Sequence, residues 1–120
     1  FFVEIDDSAS GGCWTNLKEV RDYTEATLIN KGTVVARNDL GGIIEEKHLR
    51  VLISVTGQRL YADGTGPCYG SIKIRLDGLG MMHDTVGWFV IHERHYVTAN
   101  KNNLNRAVIS KLSDFLKPLK

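Results

Sequence analysis

The chain has 120 residues, 42% of them hydrophobic and 24% charged, with fifteen basic against fourteen acidic side chains. That length supports one core and a single domain over 1–120, and the composition excludes disorder and low complexity. A formal net charge of +1 leaves no concentrated basic surface, so neither nucleic acid nor an anionic membrane is expected as a partner.

Phe1 to Ile5 is short, apolar and alternating, and predicts a first strand. The run Asp7-Ser8-Ala9-Ser10-Gly11-Gly12 reads as a loop leading to Cys13. A helix is predicted from about Trp14 to Asn16, where Asn16 and Glu19 have capping-box spacing. Leu17, Val20, Thr24 and Leu28 recur at helical intervals and form its buried stripe, and Gly32 supplies the stop. Thr33-Val34-Val35-Ala36 predicts a second strand. A short helix carrying Leu40, Ile43 and Ile44 is the ambiguous element, because Gly41 and Gly42 each weaken it by about 1 kcal/mol.

From His48 to Tyr61 the period becomes two, with Val51, Ile53 and Val55 on one face and Leu52, Ser54 and Thr56 on the other. Gly70, Ile72, Ile74 and Leu76 then alternate with Tyr69, Ser71, Lys73 and Arg75, the pattern of a strand buried on one side. Asp77-Gly78-Leu79-Gly80 reads as a turn. Thr85 to Val97 is the longest strand, with Val86, Trp88, Val90 and His92 sharing a face and Trp88 expected in the sheet core. An asparagine at or near Asn100 caps a last helix that buries Leu104, Val108, Leu112 and Phe115, and Pro118 ends it. The predicted fold is an α+β two-layer sandwich in the order β-α-β-(α)-β-β-β-α. Its sheet of four to five strands is mostly antiparallel, with two main helices on one face.

The two cysteines, Cys13 and Cys68, both lie in glycine-rich bends, an even count in turns that predicts one disulfide and an oxidising compartment. Closing a loop of about 55 residues contributes about 4 kcal/mol in the chain-entropy model, and the two Cα atoms are expected within about 7 Å. Trp14 is expected to pack against the bridge. A start at Phe1 without methionine fits a processed product whose signal peptide has been removed. A periplasmic or secreted location follows. No apolar run approaches the roughly 18 residues needed to span a bilayer.

Catalytic signatures are weak. His83, Asp84, His92 and His95 are the residues a zinc hydrolase would use. On an extended strand, however, His92 and His95 project to opposite faces, and the HExxH spacing is lacking. Neither a GxSxG elbow nor a phosphate-cradling glycine loop between strand and helix is present. The expectation is therefore a protein without cofactor or metal, and not an enzyme. Tyr69, Lys73, Arg75 and Arg94 are the candidate protein-binding residues, since mixed Tyr/Arg surfaces suit interfaces.

The run Gly32 to Leu40, then Ile43-Ile44-Glu45-Glu46, then the strand Leu49 to Gly57 resembles a pattern in periplasmic lipoprotein domains. These are the penicillin-binding-protein activators, the curli-secretion lipoproteins and the amino-terminal domain of TolB. The resemblance covers about the first half of the chain, and Gly41-Gly42 and the cysteine pair depart from it. It implies a non-enzymatic adaptor of the bacterial envelope whose partner is another envelope or cell-surface protein. A self-assembling structural component is the further alternative.

Overall fold

The computed structural model describes residues 2–31, 49–82 and 84–118, without the side chains of Met81 and Met82. The strand expected at Thr33–Ala36, the short helix after it and most of the resemblance pattern lie outside the described residues. The elements are β1 (Phe2–Ala9), α1 (Leu17–Asn30), β2 (Leu49–Arg59), β3 (Cys68–Met82), β4 (Thr85–Asn100) and α2 (Asn105–Leu116). They form an α+β fold around one four-stranded sheet in the order β1-β2-β3-β4. β1 pairs parallel to β2, whereas β2, β3 and β4 make the expected antiparallel meander.

The register explains the core. Val3 pairs with Val51 and Ile5 with Ile53, while Ile72 and Ile74 meet Val55 and Ile53 across the next ladder. These side chains share the face that receives Val20, Thr24 and Leu28 of α1 and Val108, Leu112, Phe115 and Leu116 of α2. Each fully buried isoleucine or leucine in that layer is worth about 1.5–3 kcal/mol. Thr24 is tolerated there because its hydroxyl donates to the Val20 carbonyl at 2.8 Å. The outer strand β1 is tied down by Arg21 of α1, which donates to the Val3 carbonyl at 2.8 Å.

Helix starts follow the sequence loosely. Asn16 is the N-cap of α1 but makes no side-chain cap bond to the backbone. Its amide donates instead to the Glu19 carboxylate at 2.7 Å and to the Asn105 carbonyl at 3.3 Å, joining the starts of the two helices. At α2 the N-cap is Leu104 rather than the expected asparagine, and Asn103, one residue before it, accepts from the Asn105 N–H at 3.1 Å through its side-chain oxygen.

Three expectations are corrected. β1 does not stop at Ile5, because parallel pairing carries it on to Ala9 opposite Gly57. Asp77-Gly78-Leu79-Gly80 is not a turn: β3 runs through it to Met82, which pairs with Thr85 of β4, and Asp84 before that strand takes a positive φ of 65°. Trp88 is not in the helix-covered core. The β3–β4 register slips at Leu76/Asp77, whose partners jump from His92 to Val90, so Ile91 is a bulged extra residue. One extra residue inverts every later face. Trp88 therefore lies across the other side of the sheet from His92, with its ring 4.5 Å from the Arg50 guanidinium.

Candidate functional site on the open sheet face

Both helices cover one side of the sheet, and the opposite side carries the polar positions of every strand. From the register, its rows run Phe2, Arg50, Asp77; then Glu4, Leu52, Arg75, Glu93; then Asp6, Ser54, Lys73, His95; then Ser8, Thr56, Ser71, Val97; and finally Gln58, Tyr69, Ala99. The composition grades from an ionic end beside Phe2 to a neutral, hydroxyl-rich end beside Tyr69.

The ionic end is built around Asp77, whose side chain is 1% exposed. One carboxylate oxygen accepts from Arg50 Nε at 3.0 Å and Nη2 at 2.6 Å. The other lies 2.8 Å from Arg75 Nε, an ion contact without aligned hydrogen-bond geometry. Arg50 also reaches Glu4 at 3.3 Å. The Trp88 ring covers the Arg50 guanidinium and meets the Phe2 ring edge-on at 5.6 Å. Desolvating the guanidinium beneath an aromatic face strengthens both the cation–π and the ionic terms. Two cations, Arg50 and Arg75, balance two carboxylates, Glu4 and Asp77, so the charges of this plug are paired within it.

The neutral end is secured by the disulfide. Cys13 and Cys68 are bridged, with S–S 2.04 Å and Cα–Cα 5.6 Å, within the separation expected from the sequence. Both are fully buried, and Trp14 is buried in the same cluster. Above the bridge, Arg59 donates to the Gly11 carbonyl at 2.9 Å and the Gly66 carbonyl at 3.2 Å. Two shallow cavities of about 280 and 260 Å³ open here. The first is lined by Ser8, Ser10, Thr56, Gln58 and Tyr69, the second by Ser10, Gln58, Arg59 and Tyr61. At the loop below Tyr61, Thr65 donates through its hydroxyl (2.6 Å) and N–H (3.0 Å) to Asp63. Those bonds hold the Asp63 carboxyl below its ordinary value of 3.8.

The sequence-predicted residues divide. Tyr69, Lys73 and Arg75 share the open face, but Arg94 pairs with the buried Ile74 and so belongs to the helix-covered face, at the exposed margin of β4. Arg75 is half committed to Asp77. The histidines separate as the strand period requires. His92 stacks on Phe115 of α2, with centroids 4.9 Å apart, while His95 sits on the open face 2.6 Å from Glu93. His83 lies outside the described residues, and Asp84 is at the hairpin tip. Among the described residues no group of three His, Cys, Asp or Glu side chains could hold a metal ion.

Sequence reasoning missed Arg50, Asp77 and Trp88, the most organised part of this face. The available signal was Arg50 interrupting an apolar run; Asp77 meets it through the β2–β3 register, and Trp88 reaches it only because of the β4 bulge, which leaves no mark in the hydrophobic period.

No protein-family model matches the chain, and no curated protein matches its sequence. The fold does have a solved counterpart. A crystal structure of an uncharacterized protein superposes with a TM-score of 0.50 at 12% identity, covering 99% of this chain and 92% of that one. At that identity the likeness establishes the shared α+β architecture alone. The class is thus defined by its fold: a disulfide-bonded two-layer domain with one sheet face left open.

Proposed function

We propose that the chain is a non-catalytic binding domain of the bacterial envelope, periplasmic or secreted, whose open sheet face receives another protein. The observation that carries this reading is the one-sided layering. Both helices pack on the same side of the sheet, while the other side presents Tyr69, Lys73, Glu93 and His95 on a backbone held rigid at both ends. Val97 stands 91% exposed at the margin of that face on the terminal strand β4. A buried disulfide favours an oxidising compartment. No helix among the described residues is long and apolar enough to cross a membrane. A partner would bury the exposed Val97 and Tyr69 as anchors and meet the charges of Lys73 and Glu93 beside them, a mixture of anchors and charges usual at interfaces.

The test is site-directed photocrosslinking in the native envelope. A photoreactive residue at Val97 should yield a discrete crosslinked protein that is lost on Lys73→Glu, whereas one at Lys18, on the solvent side of α1, should not. Equal labelling from both positions, or none from Val97, would refute the surface. Lys73 is the better probe than Arg75, because altering Arg75 also disturbs Asp77.

Self-assembly is the second reading, favoured by one feature. Val86, Phe89, Val90 and Ile91 are exposed on a terminal strand, and no charge interrupts that run. A mass measured by light scattering at increasing concentration separates the two: a monomer throughout ends the assembly reading. The zinc-hydrolase alternative gains no support, since His92 and His95 face opposite sides of the sheet.

A further inference from the structure

We infer that the edge of β4 between Thr85 and Ile91 is a self-pairing surface, on which a second copy of this chain docks as an antiparallel strand centred on Trp88. This pairing deepens the self-assembly reading and rests on it, giving that reading a contact and a register. Val97 lies beyond the paired segment and stays available to a different partner.

Among the described residues β4 has one strand neighbour, β3. The β2–β3 ladder ends at Leu49 and Gly78, whereas the β3–β4 ladder continues from Leu79–Trp88 to Met82–Thr85. Within the described residues that end of the hairpin is therefore a two-stranded ribbon. Such ribbons are marginal in water, and pairing two of them makes a four-stranded sheet. No charge falls between Thr85 and Ile91, and Val90 and Ile91 are 57% and 58% exposed. The other terminal strand is blunted. β1 carries Glu4, Asp6 and Asp7, and its Val3 carbonyl already accepts from Arg21.

Symmetry limits the register. Two copies of one strand, antiparallel about a two-fold axis normal to the sheet, must place one residue opposite itself. With Trp88 at that centre, Val86 meets the partner's Val90, Gly87 the partner's Phe89 and Thr85 the partner's Ile91. Each exposed apolar side chain then faces an apolar or small one across the new ladder. The faces agree as well. Val90 pairs with Asp77 and shares the open side with Val86, whereas Phe89 and Gly87 pair with Gly78 and Gly80 on the other side. Ile91 lies on that second side too, since a Cβ on Gly78 would fall 2.9 Å from it. Neighbouring registers fail. One residue earlier Val90 would meet Asp84, one residue later Val86 would meet His92, and a centre at Arg94 would set two guanidinium groups together.

The centre is clear of obstruction. The Trp88 ring is drawn back across its own sheet, 4.5 Å from the Arg50 guanidinium and 5.6 Å from the Phe2 ring. A Cβ on Gly87 would meet nothing within 4 Å, so the place opposite the partner's Phe89 is open. The bulge at Ile91 ends the regular pairing. Charge agrees at the ends, where each Asp84 comes to the corner held by the partner's His92 rather than to a second carboxylate.

The test is sedimentation velocity of the intact, oxidised protein from micromolar to millimolar concentration. A concentration-dependent dimer supports the pairing. Val86→Lys and Val90→Asp should each raise its dissociation constant about tenfold or more, because each sets a charge against valine. Combined in one chain, they place every new lysine opposite a new aspartate and should recover most of the loss. The two positions are about 13 Å apart along one strand, too far to pair within a chain. An unchanged circular dichroism spectrum reports that each variant is folded. A monomer throughout, whether or not it sediments with phosphatidylcholine vesicles, would overturn this pairing and the self-assembly reading together. A dimer indifferent to Val86→Lys, a combined variant as weak as the single ones, or assembly that grows beyond two copies would overturn the edge pairing alone.

Discussion

Asp77→Asn is the sharpest test of how the open face is held together. The substitution keeps the shape of the side chain and removes the charge that two arginines share. Breaking a buried ion pair costs about 3–5 kcal/mol when the orphaned charge stays buried. Here Arg50 and Arg75 keep 16% and 23% exposure, and Arg50 retains Glu4 at 3.3 Å. The expected loss is therefore smaller, about 2–3 kcal/mol. For a chain of this length that lowers Tm by roughly 10 °C. Urea unfolding with the disulfide intact measures it, with an unchanged m-value as the sign that only stability moved. A second arm isolates the cause. The triple variant Arg50→Met/Arg75→Met/Asp77→Leu removes all three charges and should recover most of the loss, because well-packed apolar groups replace buried ion pairs at little cost. If Asp77→Asn stays within about 0.5 kcal/mol of the parent, the carboxylate does not organise this face and the account of the plug fails.

Removing the bridge with Cys13→Ser/Cys68→Ser should cost about 4 kcal/mol by loop-closure entropy, read in the same urea assay. Because both sulfurs are fully buried, the native protein should also resist reductant and alkylation, with the mass shift appearing only under denaturing conditions. Gly70→Ala should destabilise by about 1–3 kcal/mol, since its Cβ would press on the β2 backbone at Thr56 and Gly57 rather than on a yielding side chain. Asp63 should titrate below 3.8, and Thr65→Ala should bring it back toward that value, as followed by carboxyl-carbon NMR. The sign follows from the depressed folded-state value: any stabilisation is present at neutral pH and is lost as pH falls through that lowered value. A Thr65→Ala variant with an unmoved Asp63 would exclude the hydroxyl as the cause.

The elements legible in the sequence were those whose period ran without interruption. Ile72 and Ile74 against Lys73 and Arg75 gave β3 and its two faces correctly, and Val108, Leu112 and Phe115 gave the buried side of α2. The cysteine pair was readable because both residues sit in bends with no apolar run to explain them. Failures gather where a local rule met a tertiary one. Asp77 and Gly78 have low strand propensity, yet the Arg50–Asp77 contact and the facing Val90 and Phe89 keep the ladder going. Trp88 was assigned to the wrong layer because Ile91 is a bulge, and a bulge is invisible to a count of alternate residues. Arg94 was grouped with Tyr69 by composition, whereas pairing with Ile74 decides its face. The two shallow cavities at Gln58 were not legible at all, since their walls come from strand ends and loops far apart in the sequence.

The parallel β1–β2 pair also fixes an order of events. Met82 meets Thr85 and Arg59 meets Cys68 across short connections, but Phe2 must find Arg50 across the whole of α1 and the segment after it. Loop-closure entropy favours the meander first and leaves the amino-terminal strand to dock late. Cys13 follows directly behind that strand, so the two thiols are brought together only once it has docked. Oxidation then acts as a latch on the last piece to arrive, and a still-reduced chain is one whose first strand can come away again.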